Sequence, residues 1–175
     1  MLVCGEKLPF NIVTRPVFRR FCLALNPSIE NRLIKSRSTL VSHIRNVYEF
    51  YRDQLKTKLQ KATSMIHFSA DLWSSPNHIS LLGVHVQLVD ENYTLRNLLI
   101  GLPECQSNHS GPQQASYILD IIKWFDIGKN LGYFTGDNAG SNDTCLRAIS
   151  AALEEEFEVS CPALFCTSIP SDLLL

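Results

Sequence analysis

No apolar run in this 175-residue chain approaches the roughly 20 residues that a membrane-spanning helix needs. The N-terminus also lacks the basic flank and apolar stretch of a secretory signal. The expectation is a soluble protein with no membrane partner. CxxC pairs are missing as well. The six cysteines, Cys4, Cys22, Cys105, Cys145, Cys161 and Cys166, are scattered, and no histidine lies at ligand spacing near the last two. That argues against a zinc site and for reduced thiols in a cytosolic or nuclear protein. There is no phosphate-cradling glycine loop, nucleophile elbow or Ser, His and Asp arrangement, so a small hydrolase built on those motifs finds little support.

A net charge of −1 suggests no electrostatic partner until the chain is divided. Through Ala62 there are 12 Lys or Arg against 4 acids, and from Thr63 onward 4 against 13. The first part is suited to face phosphates and the second to hold cations. The hydrophobic period changes at the same place, which divides the chain into a basic helical segment (1–62), an α/β region (63–158) and a tail (159–175).

In the first segment, Val17, Phe18, Phe21, Cys22 and Leu25 predict a short helix, with Thr14 as its N-cap, Pro16 in its first turn and Asn26-Pro27 as its stop. A longer helix opens at Ser36 or Ser38 and carries Leu40, Val41, Ile44, Val47, Tyr48, Tyr51, Leu55 and Leu59 at spacings of three and four. Arg45, Arg52 and Lys56 on its other side are candidates for a nucleic-acid backbone, against the plainer reading of a solvated charged face.

From Met65 the pattern alternates. Ile66 to Leu72, Ile79 to Val89 and Leu95 to Leu102 read as three strands joined by short turns, an antiparallel meander. A polar stretch from Glu104 to Gly111 precedes a helix beginning at Pro112, and Leu131 to Thr135 follows as a buried strand. Strand, helix, strand implies parallel pairing through a crossover. Ser141 then caps a last helix that ends at Glu154-Glu155-Glu156, where carboxylates oppose the helix dipole. The fold class is α/β: a mixed sheet of three antiparallel strands plus a parallel fourth, preceded by helices.

Two carboxylates stand out. Asp71 lies in or at the end of the first strand and Asp137 where the fourth ends. A carboxylate in such a place asks for a partner or a cation. If the two strands run parallel side by side, the pair emerges at one edge of the sheet, where a divalent ion relieves their repulsion. The competing readings are local ones: Asp71 accepting backbone hydrogen bonds in a turn, and Asp137-Asn138 forming an Asx turn that caps the next helix.

The phrases Phe68-Ser69-Ala70-Asp71-Leu72-Trp73-Ser74-Ser75, Leu82-Gly83-Val84-His85, Asn108-His109-Ser110-Gly111 and Thr135-Gly136-Asp137-Asn138-Ala139-Gly140-Ser141-Asn142 resemble, in order and spacing, the hAT-type transposases. Pro9-Phe10, Phe18-Arg19-Arg20, Leu25-Asn26-Pro27 and Ser38-Thr39-Leu40 extend the resemblance upstream. It implies an RNase H-like domain that cuts and transfers DNA with Mg²⁺ or Mn²⁺, using an Asp, Asp, Glu triad. Asp71 matches the first aspartate and Asp137 the second. His109 falls in the family's His-x-Gly neighbourhood, either near nucleic acid or as a loop residue with a structural hydrogen bond. Trp73 is expected in the core. The resemblance also implies a nuclear setting, with DNA, a second copy or a full-length transposase as partners. The family's third catalytic Glu and C-terminal region have no match, and Glu154 to Glu158 cannot replace that Glu from the end of a helix beginning just after Asp137. The expectation is therefore an incomplete domain, inactive alone, or else a non-enzymatic regulator derived from a transposase.

Overall fold

The computed structural model describes residues 2–74, 79–105, 110–136 and 140–157. It divides into two compact units, 1–54 and 55–175.

The first unit holds helices α1 (Leu2–Gly5) and α2 (Pro16–Leu25), two short 3₁₀ turns at Phe10–Thr14 and Pro27–Arg32, and most of α3 (Arg37–Gln60). Pro16 opens α2 as expected, but Thr14 does not cap it. Its hydroxyl donates to the Asn11 carbonyl at 2.8 Å, and the N-cap position belongs to Arg15, whose side chain makes no cap bond. Asn26 does end the helix and accepts from the Ser28 amide at 3.0 Å, starting the next turn in the manner of an Asx motif. At the head of α3, the Ser36 hydroxyl accepts from the Thr39 amide at 3.1 Å, satisfying one orphan N–H of the first turn. The core here is small: Val3, Val13 and Leu40, with Leu8, Ile12, Ile34 and Ile44 around them.

The second unit is built on a mixed sheet. Strands β1 (Ile66–Ser74), β2 (Ser80–Val89) and β3 (Leu95–Gly101) form the antiparallel meander, and β5 (Leu131–Thr135) lies parallel to β1, giving the order β3-β2-β1-β5. A two-residue strand inside the polar stretch, β4 (Glu104–Cys105), adds to β2 through Ser80 and Leu81. Helices α4 (Gly111–Phe125) and α5 (Gly140–Phe157) supply the rest of the core. On α4, Ala115, Ile118, Ile122 and Phe125 are buried, and on α5, Cys145, Ile149 and Leu153. Both sets recur at helical spacing. They join Ile66 and Phe68 of β1, Leu82, Val84, Val86 and Leu88 of β2, and Leu131 and Phe134 of β5 in one cluster.

The end of α3 is part of this second core. Leu59 is fully buried in it and Leu55 packs against it. The Lys56 ammonium donates to the Trp124 carbonyl at 2.6 Å and lies 5.3 Å from that residue's ring centre. Asp126 ends α4 in the left-handed region (φ 55°, ψ 50°), and its carboxylate accepts from the Gln60 side-chain Nε2 at 3.3 Å.

Candidate functional site

Alternation along β1 decides which side chains are free to act. Ile66 and Phe68 point into the core, so His67, Ser69, Asp71 and Trp73 share the opposite face. Asp71 is exposed and lies opposite Gly83 of β2. It is within the strand, and the turn expected to follow, 75–78, lies outside the described residues. Among the described residues it forms none of the ion pairs.

Trp73 departs from expectation. It is 41 % exposed, on the same face as Asp71. A Cβ built on Gly83 would meet its ring at 2.7 and 2.8 Å. The indole therefore lies back over a strand position that only a glycine leaves open, directly opposite Asp71. Its parity with Asp71 and His67 was the signal for this in the sequence: in a strand, residues an even number apart share a face.

The same face carries a shallow hollow of about 350 Å³ lined by His67, Ser69, His85, Gln87, Asn97 and Thr135, together with Phe68 and Val86. His85 stands opposite Ser69, and Gln87 opposite His67. His67 is committed to the sheet. Its ring stacks on Tyr133 (centroids 5.3 Å apart, planes 10° apart), and its Nδ1 accepts from the Tyr133 amide at 3.0 Å.

Strand β5 meets β1 in two phases. Ile66 pairs with Leu131, but Phe68 pairs with Phe134 and Ser69 with Thr135. Two steps on β1 thus span three on β5. Both Leu131 and Phe134 remain buried, and Thr135 comes out beside Ser69. Asp71 lies two residues beyond Ser69, and Asp137 two residues beyond Thr135. Asp137 and His109 themselves fall outside the described residues. Among the described residues no group of three or more His, Cys, Asp or Glu could hold a metal ion.

The basic candidates part company. Arg45 is exposed on α3. Arg52 is partly covered, with its guanidinium carbon 5.9 Å from the Tyr48 ring centre and Nη1 4.0 Å from Glu49. Lys56 is occupied by the end of α4, as described above. No described helix is long and apolar enough to cross a membrane.

Residues 69–164 match the family described as the ZBED1 RNase-like domain. Over 155 residues the chain is 27 % identical to the Putative AC transposase of Zea mays, an alignment that covers 89 % of this chain and 19 % of that protein. The Putative AC9 transposase of the same plant matches at the same identity, with 18 % of its length covered. The Putative transcriptional regulator tpeD of Talaromyces stipitatus is 23 % identical over 154 residues, or 87 % of this chain and 18 % of that protein. The chain thus spans about a fifth of the length of the curated relatives it matches.

Proposed function

Because this chain belongs to the ZBED1 RNase-like domain family, whose match takes in more than half of it, we propose that it contributes the two-aspartate part of a divalent-metal site used in cutting or joining DNA. Asp71 and Asp137 would hold Mg²⁺ or Mn²⁺. The donor chemistry fits: both are hard carboxylate oxygens, the kind these ions prefer. The observation that carries the reading is the parallel pairing of β1 with β5, with Ser69 opposite Thr135 and an aspartate two positions after each.

Such an ion would offset negative charge on the phosphate oxygens and activate an attacking oxygen for in-line displacement. The chain's own part is positioning. β1 holds Asp71 on a rigid element beside Gly83, whose missing side chain leaves room for the Trp73 ring. The transposase names of two relatives support a DNA substrate, and a nuclear setting is part of the same proposal.

Calorimetric titration with Mn²⁺ compares the unaltered chain with Asp71→Asn and Asp137→Asn. The expected result is a weak binding isotherm that either substitution removes. Identical titrations for all three proteins overturn the proposal.

A second reading draws on the relative named as a transcriptional regulator and on the basic residues through Ala62: a DNA-bound regulator that does no chemistry. It predicts affinity for DNA that drops steeply with added salt and is indifferent to Asp71→Asn. Filter binding at two salt concentrations checks it, and absence of binding at low salt counts against it.

A further inference from the structure

We infer that His67 is a positioning residue: it holds β5 one residue out of simple step with β1, and so keeps Thr135, two positions before Asp137 in the sequence, opposite Ser69, two positions before Asp71. The inference rests on the two-aspartate reading for its functional meaning, though not for its geometry.

A strand side chain changes face with every residue, so a slip of one position exchanges the core set for the solvent set. Between Ile66 and Phe68, β5 takes in one residue more than β1. A bulge of this kind re-aims everything after it. With the extra residue, Phe134 reaches the core against Phe68, their rings 5.0 Å apart, and Thr135 sits on the open face opposite Ser69. Without it, Phe134 would be opposite Ser69 on the open face. Thr135 would then fall opposite Ala70, which packs on the core, instead of Ser69.

The extra residue is accommodated by His67. Its Nδ1 accepts the Tyr133 N–H, and its ring covers that of Tyr133. Gly132 makes the room: a Cβ there would meet His67 Nδ1 at 2.7 Å and Cε1 at 2.8 Å. Those atoms belong to a stacked, hydrogen-bonded ring that cannot swing aside without losing both contacts. His67, Gly132 and Tyr133 therefore form a single device that sets strand phase. The imidazole acts as an acceptor toward the backbone, not as a ligand or a base.

The two functions of the ring can be separated. His67→Asn retains an acceptor near the Nδ1 position and gives up the stack, whereas His67→Phe retains the stack and gives up the acceptor. Gly132→Ala drives the ring away with His67 itself intact. Two readouts are needed: NMR of the Tyr133 amide (exchange rate) with the Phe68–Phe134 ring contact, and Mn²⁺ affinity from paramagnetic broadening. Supporting residues around a metal site typically change affinity by about 10–100-fold. We expect His67→Phe and Gly132→Ala to weaken Mn²⁺ in that range, speed Tyr133 exchange and lose the Phe68–Phe134 contact, while His67→Asn stays close to the unaltered chain.

A His67→Phe or Gly132→Ala protein with unchanged Tyr133 protection, unchanged ring contact and unchanged Mn²⁺ affinity overturns the inference. Should the unaltered chain bind no Mn²⁺ while His67→Phe still loses the ring contact and Tyr133 protection, His67 is upheld as the phase-setting residue and the two-aspartate reading is what fails. The reverse pattern, His67→Asn impaired and His67→Phe like the unaltered chain in both readouts, would assign the effect to the stack and overturn the acceptor role.

Discussion

The two units of the chain differ in how much of their apolar surface they bury. In the second, twenty buried apolar residues among those described form one cluster across sheet and helices. In the first, Val3, Val13 and Leu40 alone do so among the described residues, and α2 has no buried residue at all. Val17, Phe21 and Leu25, one face of α2 at spacings of four, are 69, 60 and 72 % exposed. An apolar groove of about 490 Å³ runs along Phe18, Cys22, Leu33, Ile34 and Leu40. Stability follows the area removed from water, roughly 25 cal/mol per Å², and chain segments of this length are marginal by themselves. The second unit has the means to hold a side chain in place for chemistry. The first has open surface, with an excess of cationic residues upon it.

The largest expected effect tests that contrast directly. Phe134 is 1 % exposed and packs on Phe68, and truncating a buried phenylalanine costs about 3–5 kcal/mol. Phe134→Ala should lower the second unit's unfolding midpoint sharply in urea. Leu40, 2 % exposed in the smaller core, should cost about 2 kcal/mol as Leu40→Ala, the low end for such a change. Its effect should be confined to amides of residues 1–54 in hydrogen exchange. If Leu40→Ala destabilises the β1 and β2 amides as much as Phe134→Ala does, the two units do not unfold separately and the contrast fails.

Period-two patterning made β1, β2 and β3 legible, since each buries one face and needs alternation to do so. It made Asp71 legible too, as a carboxylate in an apolar strand. What escaped was what depends on partners far along the chain or on elements too short to have a period. β4 is two residues long. The bulge in β5 is set by a histidine 66 positions earlier, and no local pattern records that. Thr14 had the right chemistry for a cap, but it lies one residue before the N-cap position and its hydroxyl bonds back to Asn11. Trp73 was expected in the core on hydrophobicity alone, although its parity with Asp71 put it on the open face. Charge changes sign after Ala62, whereas compactness divides the chain between Gln54 and Leu55. The last turns of α3 are basic on one side and apolar on the other, so they count with the first segment by charge and with the second core by packing.

Thiol chemistry gives a smaller, independent reading of the same contrast. Cys4 is exposed and Cys22 half-buried, both in the first unit, whereas Cys105 and Cys145 are buried in the second. Burial disfavours the thiolate: it pushes Cys145 up to about 11 and raises Cys105 as well. Of these four, peptide mapping with alkylating reagent at pH 8 should find Cys4 modified first and Cys22 next, with Cys105 and Cys145 protected until denaturant is added. Early labelling of Cys145 would mean that α5 opens without global unfolding.

The smallest effect concerns the turn between β2 and β3. Asp90 Oδ1 accepts from the Asn92 and Thr94 amides at 2.9 and 3.0 Å, and Oδ2 accepts from Arg96 Nε at 2.7 Å. The Arg96 hydrogen bond, followed by the Thr94 amide, holds the Asp90 carboxyl below its ordinary value. A depressed folded value means the carboxylate stabilises the fold above the unfolded value of about 3.9, and that this contribution disappears as pH falls through the lower, folded value. The pair is at the surface, so salt should weaken it. Asp90→Asn keeps an acceptor for the two amides and gives up the charge. Its Asn92 and Thr94 amide shifts should therefore stay flat between pH 6 and pH 2.5, where the unaltered chain shows a titration step, and the rest of the second unit should respond to neither change. A step that survives in Asp90→Asn would assign the titration to another carboxylate and remove Asp90 as the turn's pH-sensitive clasp.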